Sequence, residues 1–253
     1  MSNVALICTL AFVAVTVVLS IRKKLGLEKD IVVGTVRTAV QLLFIGYVLH
    51  FVFDAEQPLF IVLIVLLMIT VAAWNAAGKA KGIKGLRIRI AMSLLFTEAV
   101  AMALLLGLRI IEPTAQYIIS ISGIIVGSSM VVCGLYLNRM KRELEASRGE
   151  IEALLALGAS AQQAIKLSAK RSVRSSLIPT LDSMKTVGLV QLPGMMTGMI
   201  VAGADPIEAV RYQILIMFML ASSAATTAIV LSGMTGGIWF TEDLRLPRDK
   251  EEA

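Results

Sequence analysis

Arg37 and Glu98 are ionisable side chains set inside runs that are otherwise apolar. A charge at the centre of a membrane helix costs about 2.5–3.5 kcal/mol on translocon insertion scales, so a residue of this kind points to ion binding, proton relay or pairing. Arg37 stands about 9 Å inside its run at 1.5 Å per residue, within snorkelling reach of the surface. Glu98 stands about 12 Å inside its own, and its short side chain has no such exit. It needs a partner, a proton or a water-filled cavity. Both runs enter from the same side, so an Arg37–Glu98 pair extended by Gln41, one turn deeper, is geometrically open. That pair reads equally as a structural bridge or as the lining of a pathway.

The second chemical feature is Pro193-Gly194-Met195-Met196, with Met199 close by. Proline removes a helix hydrogen bond, and a break placed near mid-bilayer marks a central pathway or a hinge. Thioethers are soft ligands that suit a copper-like ion. Methionine also fills irregular, moving interfaces, and that plainer reading is favoured. Gly194 and Gly198 form Gly-x-x-x-Gly, as do Gly123 and Gly127, so close helix packing at a dimer interface competes with the pathway reading. Asp54, Glu56, Asp205 and Glu208 are ordinary outer-loop acids, and His50 is the only histidine. No residue set specifies a metal.

These residues must be positioned by membrane helices. Hydrophobic residues make up 57% of the 253 and charged ones 17%, with a mean hydropathy of +0.82, which excludes an ordinary soluble domain. Backbone amides in hydrocarbon must be satisfied internally, and no ten-residue alternation suggests a barrel, so the fold class is all-α and polytopic. Windows of about 19 residues predict seven spans, roughly 3–21, 31–53, 58–77, 90–111, 115–137, 183–203 and 209–232, within one transmembrane domain. Arg22, Lys23, Lys24 and Lys29 follow the first span. Lys79, Lys81, Lys84, Arg87 and Arg89 follow the third, and a run from Arg139 to Arg174 follows the fifth. The opposite loops carry Asp54, Glu56, Glu112, Asp205 and Glu208, with Arg109 and Arg211 as their cations. The positive-inside rule then puts the N terminus outside and the tail, 233–253, in the cytoplasm of a cell bounded by this inner membrane.

The net charge of +6 does not call for nucleic acid, because the cations fall on inner loops beside anionic lipid headgroups. Met1-Ser-Asn is uncharged and Arg22-Lys-Lys follows the first apolar run, which is the reverse of a signal peptide. Cys8 and Cys133 fall in opposite leaflets. A disulfide needs Cα atoms within about 7 Å, whereas half the hydrocarbon core is about 15 Å.

The polar stretch 138–182 between spans 5 and 6 predicts a short cytosolic helical segment. Ile151, Leu154, Leu155 and Leu157 recur at helical spacing opposite Glu150 and Glu152, and Gly158 ends that helix. Ser160 with Gln163 has the form of a capping box, so a second helix begins there and runs toward Arg174 with Lys166, Lys170 and Arg174 along one face. Both helices could simply lie on lipid headgroups.

Glu152-Ala153 followed by Gly158 resembles the coupling helix of bacterial ABC transporter permeases, with Leu155 on the same helix. Leu189-Val-Gln-Leu-Pro-Gly-Met-Met-Thr-Gly198, Gly203-Ala-Asp-Pro206 and Ala209-Val-Arg-Tyr-Gln213 follow in order. The chain is thereby identified as similar to the FetB, or YbbM-like, permease family, over nearly its whole length. The resemblance implies a homodimeric permease paired with two copies of a separate ATP-binding subunit, which holds ATP and Mg. Bacterial members are linked to iron export, and a plant relative to UDP-glucose. In agreement, the sequence holds no Gly-x-x-x-x-Gly-Lys-[Ser/Thr] loop to cradle phosphates.

Other classes fare worse. A retinal protein needs a lysine in its last span, and Val210 to Ser232 has none. Enzyme chemistry lacks His-Glu-x-x-His, Gly-x-Ser-x-Gly and a second intramembrane acid. An ATP-independent channel or secondary carrier would use Arg37, Gln41 and Glu98 equally well.

Overall fold

The computed structural model describes residues 9–55, 57–80, 83, 85–240 and 246, apart from the side chains of 51 and 53–55. Met1, Ser2, Asn3, Cys8, Glu56, Lys81, Lys84 and most of the 233–253 tail lie outside the described residues, as does the Asp54 carboxyl. The elements are α1 Leu10–Lys23, α2 Glu28–Ala55, α3 Pro58–Ala77, α4 Leu86–Gly107, α5 Ala115–Ala146, α6 Arg148–Ala156, α7 Ala161–Ala164, α8 Lys166–Thr186, α9 Gly194–Val201 and α10 Pro206–Thr235. Among the described residues there is no strand, only an isolated bridge between Val187 and Gln191.

Among the described residues five helices are long and apolar enough to cross a membrane: Glu28–His50 of α2, and α3, α4, α5 and α10. The first predicted span, 3–21, lies partly outside the described residues, and its described part is α1, 14 residues long. The 183–203 run is not one helix. α8 ends at Thr186, Gly188 takes a left-handed φ of +83°, and α9 restarts at Gly194 for 8 residues. Pro193 is the N-cap of α9 rather than a kink inside a helix. There its missing N–H breaks no helical hydrogen bond. α5, by contrast, continues to Ala146, well past the end of its apolar run. Arg139–Glu143 at 2.6 Å and Lys141–Glu145 at 3.9 Å support its polar last turns at i,i+4 spacing.

Two compact units are distinguished, residues 1–57 and 58–253. The first pairs α1 with α2 through a turn in which Lys24 and Gly26 take φ of 52° and 68°. Ser20 stabilises that turn, donating to Glu28 Oε1 at 2.8 Å and accepting from the Leu27 N–H at 3.3 Å.

In the second unit α5 packs against α3, α4, α8 and α10, α4 also meets α3 and α10, and α9 lies against α10. The packing inverts the pattern of a soluble protein. α3 buries Ala72, Ala73, Ala76 and Ala77 and exposes Leu59, Val62, Leu63, Leu66 and Leu67. Lipid tails are as apolar as leucine, so helices in a bilayer associate through small residues that allow close approach. α4 is mixed, burying Ser93, Thr97 and Glu98 together with Leu86, Ile90, Leu94 and Leu105 while exposing Met92, Leu95, Phe96 and Leu104.

Candidate functional site

Glu98 lies on the buried face of α4 and is 4% exposed. Neither carboxyl oxygen has a hydrogen-bond partner, and neither do the hydroxyls of Ser93, Ser122 and Ser129 or the Gln213 Oε1. Ser122 of α5 sits beside Glu98 but short of hydrogen-bonding geometry. One turn of the same seam is closed, because Thr97 Oγ1 and Thr227 Oγ1 are 2.9 Å apart and tie α4 to α10. An unsatisfied buried polar group costs about 1–3 kcal/mol, more if charged. The polar groups of Ser93, Glu98, Ser122 and Ser129, with Thr97 and Thr227, lie on the buried faces of three packed helices and form a polar seam able to hold water, a proton or a polar ligand. Among the described residues no three of His, Cys, Asp and Glu are grouped to hold a metal. The donors available at Glu98 are one carboxyl and neutral oxygens.

Arg37 and Gln41 are exposed on α2 of the first unit, one turn apart, while Glu98 belongs to the second. Pro193 and Met196 are half-buried, and Gly194 and Met195 are exposed. α9 buries none of its residues. A Cβ built at Gly194 or Gly198 would meet nothing within 4 Å, so this Gly-x-x-x-Gly face is open in the single chain.

The short helix after α5 places its residues differently from the sequence expectation. Ile151, 1% exposed, and the partly buried Leu154 and Leu155 of α6 pack into the chain's own core with Met140, Leu144, Trp239 and Leu246. Leu155 therefore serves internal packing. Glu152, Ala153 and Gly158 remain exposed, and Leu157 stands out at 85% exposure. Gly158 has φ +89°, a left-handed turn that ends the helix without Cβ strain. Ser160 and Gln163 make both bonds of the capping box, at 3.4 and 2.8 Å. The helix they open is only a turn, α7, before α8 continues through Arg174 and past Pro179 to Thr186. Lys166, Lys170 and Arg174 are exposed on α8, while Ser168, Ser172 and Ser176 form a buried stripe.

Reading by composition missed Glu143, a second buried carboxyl, 7% exposed. Arg139 holds it at 2.6 Å and Arg171 of α8 at 3.6 Å. Its signal was spacing: Ser122, Ser129, Tyr136 and Glu143 recur every seven residues of α5. The Tyr117–Tyr212 pair was missed too, with stacked rings 6.3 Å apart and hydroxyls at 3.1 Å.

Residues 3–240 match the model of an uncharacterised protein family, UPF0014. The UPF0014 membrane protein YjkA of Bacillus subtilis is 46% identical over 250 residues, 99% of this chain and 100% of the relative. A probable iron export permease protein, FetB, of Escherichia coli is 38% identical over 92% of this chain and 90% of its own. The Arabidopsis thaliana protein ALUMINUM SENSITIVE 3 is 36% identical over 94% and 87%. No solved structure matches. With identity sustained across both units and five membrane-length helices, the chain is a multi-pass membrane protein that belongs to the UPF0014 family.

Proposed function

We propose that this chain is the membrane-spanning permease subunit of an ATP-driven exporter whose cargo is a metal cation, iron foremost. The observation that carries the reading is Glu98, a membrane-buried carboxyl with both oxygens unpartnered, in a chain 38% identical to a probable iron export permease. When it gives up its proton, Glu98 presents a negative charge that attracts a cation and repels the diphosphate of a nucleotide sugar. Glu98 lines the pathway, and within the second unit the Pro193–Met196 turn is a further candidate member; Arg37 and Gln41 are polar candidates of the first unit.

Energy comes from two copies of a separate ATP-binding subunit with its Mg. That subunit seats on the exposed knob of Glu152, Ala153, Leu157 and Gly158. The basic end of α5 faces the cytoplasm, the N terminus faces out, and Gly194 and Gly198 of α9 accept a second copy of the chain. The test is uptake of iron(II) into inside-out vesicles from cells coexpressing the chain with a P-loop ATPase encoded beside it. ATP-dependent uptake lost in Glu98→Gln supports the reading. Transport by the isolated chain without nucleotide would replace it with a carrier.

A further inference from the structure

The seam at Glu98 does not stop there. Ser122, Ser129, Tyr136 and Glu143 are 0, 1, 1 and 7% exposed, so they define one buried stripe of α5, with about 10.5 Å between neighbours at 1.5 Å per residue. Flanking helices add protic groups along it. Thr97 and Thr227 are bonded at 2.9 Å, Ser93 lies beside Cys133, and Thr235 meets the Tyr136 hydroxyl at 3.2 Å. The stripe ends at Glu143 between Arg139 and Arg171, at the basic end of the helix.

Among the described residues, the helices packed around Glu98 place no ion-pair partner on it. α3 has no ionisable residue, α4 carries only Arg87 and Arg89 besides Glu98, α5 has no charge before Arg139, and α10 has only Glu208 and Arg211 in its opening turns. The remaining titratable groups of the packed helices are Tyr117, Cys133, Tyr136 and Tyr212. A carboxyl so placed is least costly when neutral, carrying its own hydrogen.

We propose that Glu98 is a proton-binding site loaded from the basic end of α5 through the Ser129–Tyr136 stripe. This deepens the pathway reading of Glu98 and rests on it. On unloading, the carboxyl O–H bond breaks heterolytically and the proton passes to a neighbouring oxygen, which hands one of its own protons on toward Glu143. Loading is the reverse. One proton moves, Glu98 gains or loses one negative charge, and nothing is oxidised or reduced. Hops need oxygens within about 3 Å, so water supplies those between the side chains.

The test is infrared spectroscopy of the full chain in phosphatidylcholine–phosphatidylglycerol nanodiscs at neutral pH. A protonated-carboxyl band that disappears in Glu98→Gln is expected. Transfer into heavy water should shift that band, and the combined Ser129→Val and Tyr136→Phe substitutions should slow the shift about tenfold or more. Ser129→Thr, which keeps the hydroxyl, and Ser168→Ala, in the α8 packing stripe, should leave its rate unchanged. An ionised Glu98, or an exchange rate indifferent to the stripe, overturns the inference. Iron(II) transport by the same variants separates the two ideas: an ionised Glu98 whose Gln variant still loses transport leaves the permease standing without the proton path. A protonated, stripe-fed Glu98 whose Gln variant transports normally removes Glu98 from the cargo pathway and leaves the proton site standing.

Discussion

Glu98 and Glu143 show how one residue type takes two roles in one bundle. Glu143 is clamped by Arg139 and Arg171; Glu98 has no such clamp and no hydrogen bond. Removing the first leaves two cations facing one another, whereas removing the second relieves a desolvated group. Glu98→Met should therefore stabilise the folded chain by about 1–2 kcal/mol while abolishing transport. Detergent-titrated unfolding in mixed micelles measures the first effect, and a loss of stability would mean that the carboxyl has a structural partner. Gly158 makes a different residue-scale case. Its φ of +89° is open to glycine and strained for alanine, although nothing crowds the position. Gly158→Ala should cost about 1 kcal/mol through backbone strain alone, seen as faster hydrogen exchange at the end of α6.

Among the elements, α3 states the membrane logic most clearly. Ala76, 1% exposed, lies on the small-residue face of α3, whereas Leu66, 44% exposed, points outward. Ala76→Leu should cost about 1–3 kcal/mol by overpacking. Leu66→Ala should change stability by less than about 0.5 kcal/mol, because it trades one lipid contact for another. The same unfolding titration reads both, and equal effects would show that α3 is not seated by its alanines. On the cytosolic side of the proposed topology, α6 divides its labour similarly, with Ile151 inward and Leu157 outward.

For the molecule as a whole, the proposed docking of an ATP-binding subunit on the exposed face of α6 would make that division separate folding from assembly. Leu157→Asp should leave the chain monodisperse and folded but lose its ATPase subunit on affinity purification, as should the joint Glu152→Ala and Gly158→Ala change. Ile151→Asp should instead loosen the core shared with Met140, Leu144 and Trp239, costing about 3 kcal/mol or more for an unpaired buried charge. Retention of the ATPase by Leu157→Asp would move the docking face elsewhere.

Much of this was legible in the residues. Composition and run length determine an all-helical membrane fold, since hydrocarbon leaves backbone amides no other partner. The Ser160–Gln163 cap and the Gly158 stop are local chemistry, and local chemistry can be read from neighbours in sequence. Span count was less secure, because hydropathy sums apolar residues without registering that 183–203 is interrupted by a turn over Gly188 and restarted by Pro193. Which way α6 turns its leucines, that Glu98 lies beside Ser122 without a hydrogen bond, and that Glu143 is captured by an arginine on α8 all depend on contacts between residues far apart in the chain. Helical periodicity names a face. Only packing decides what that face meets.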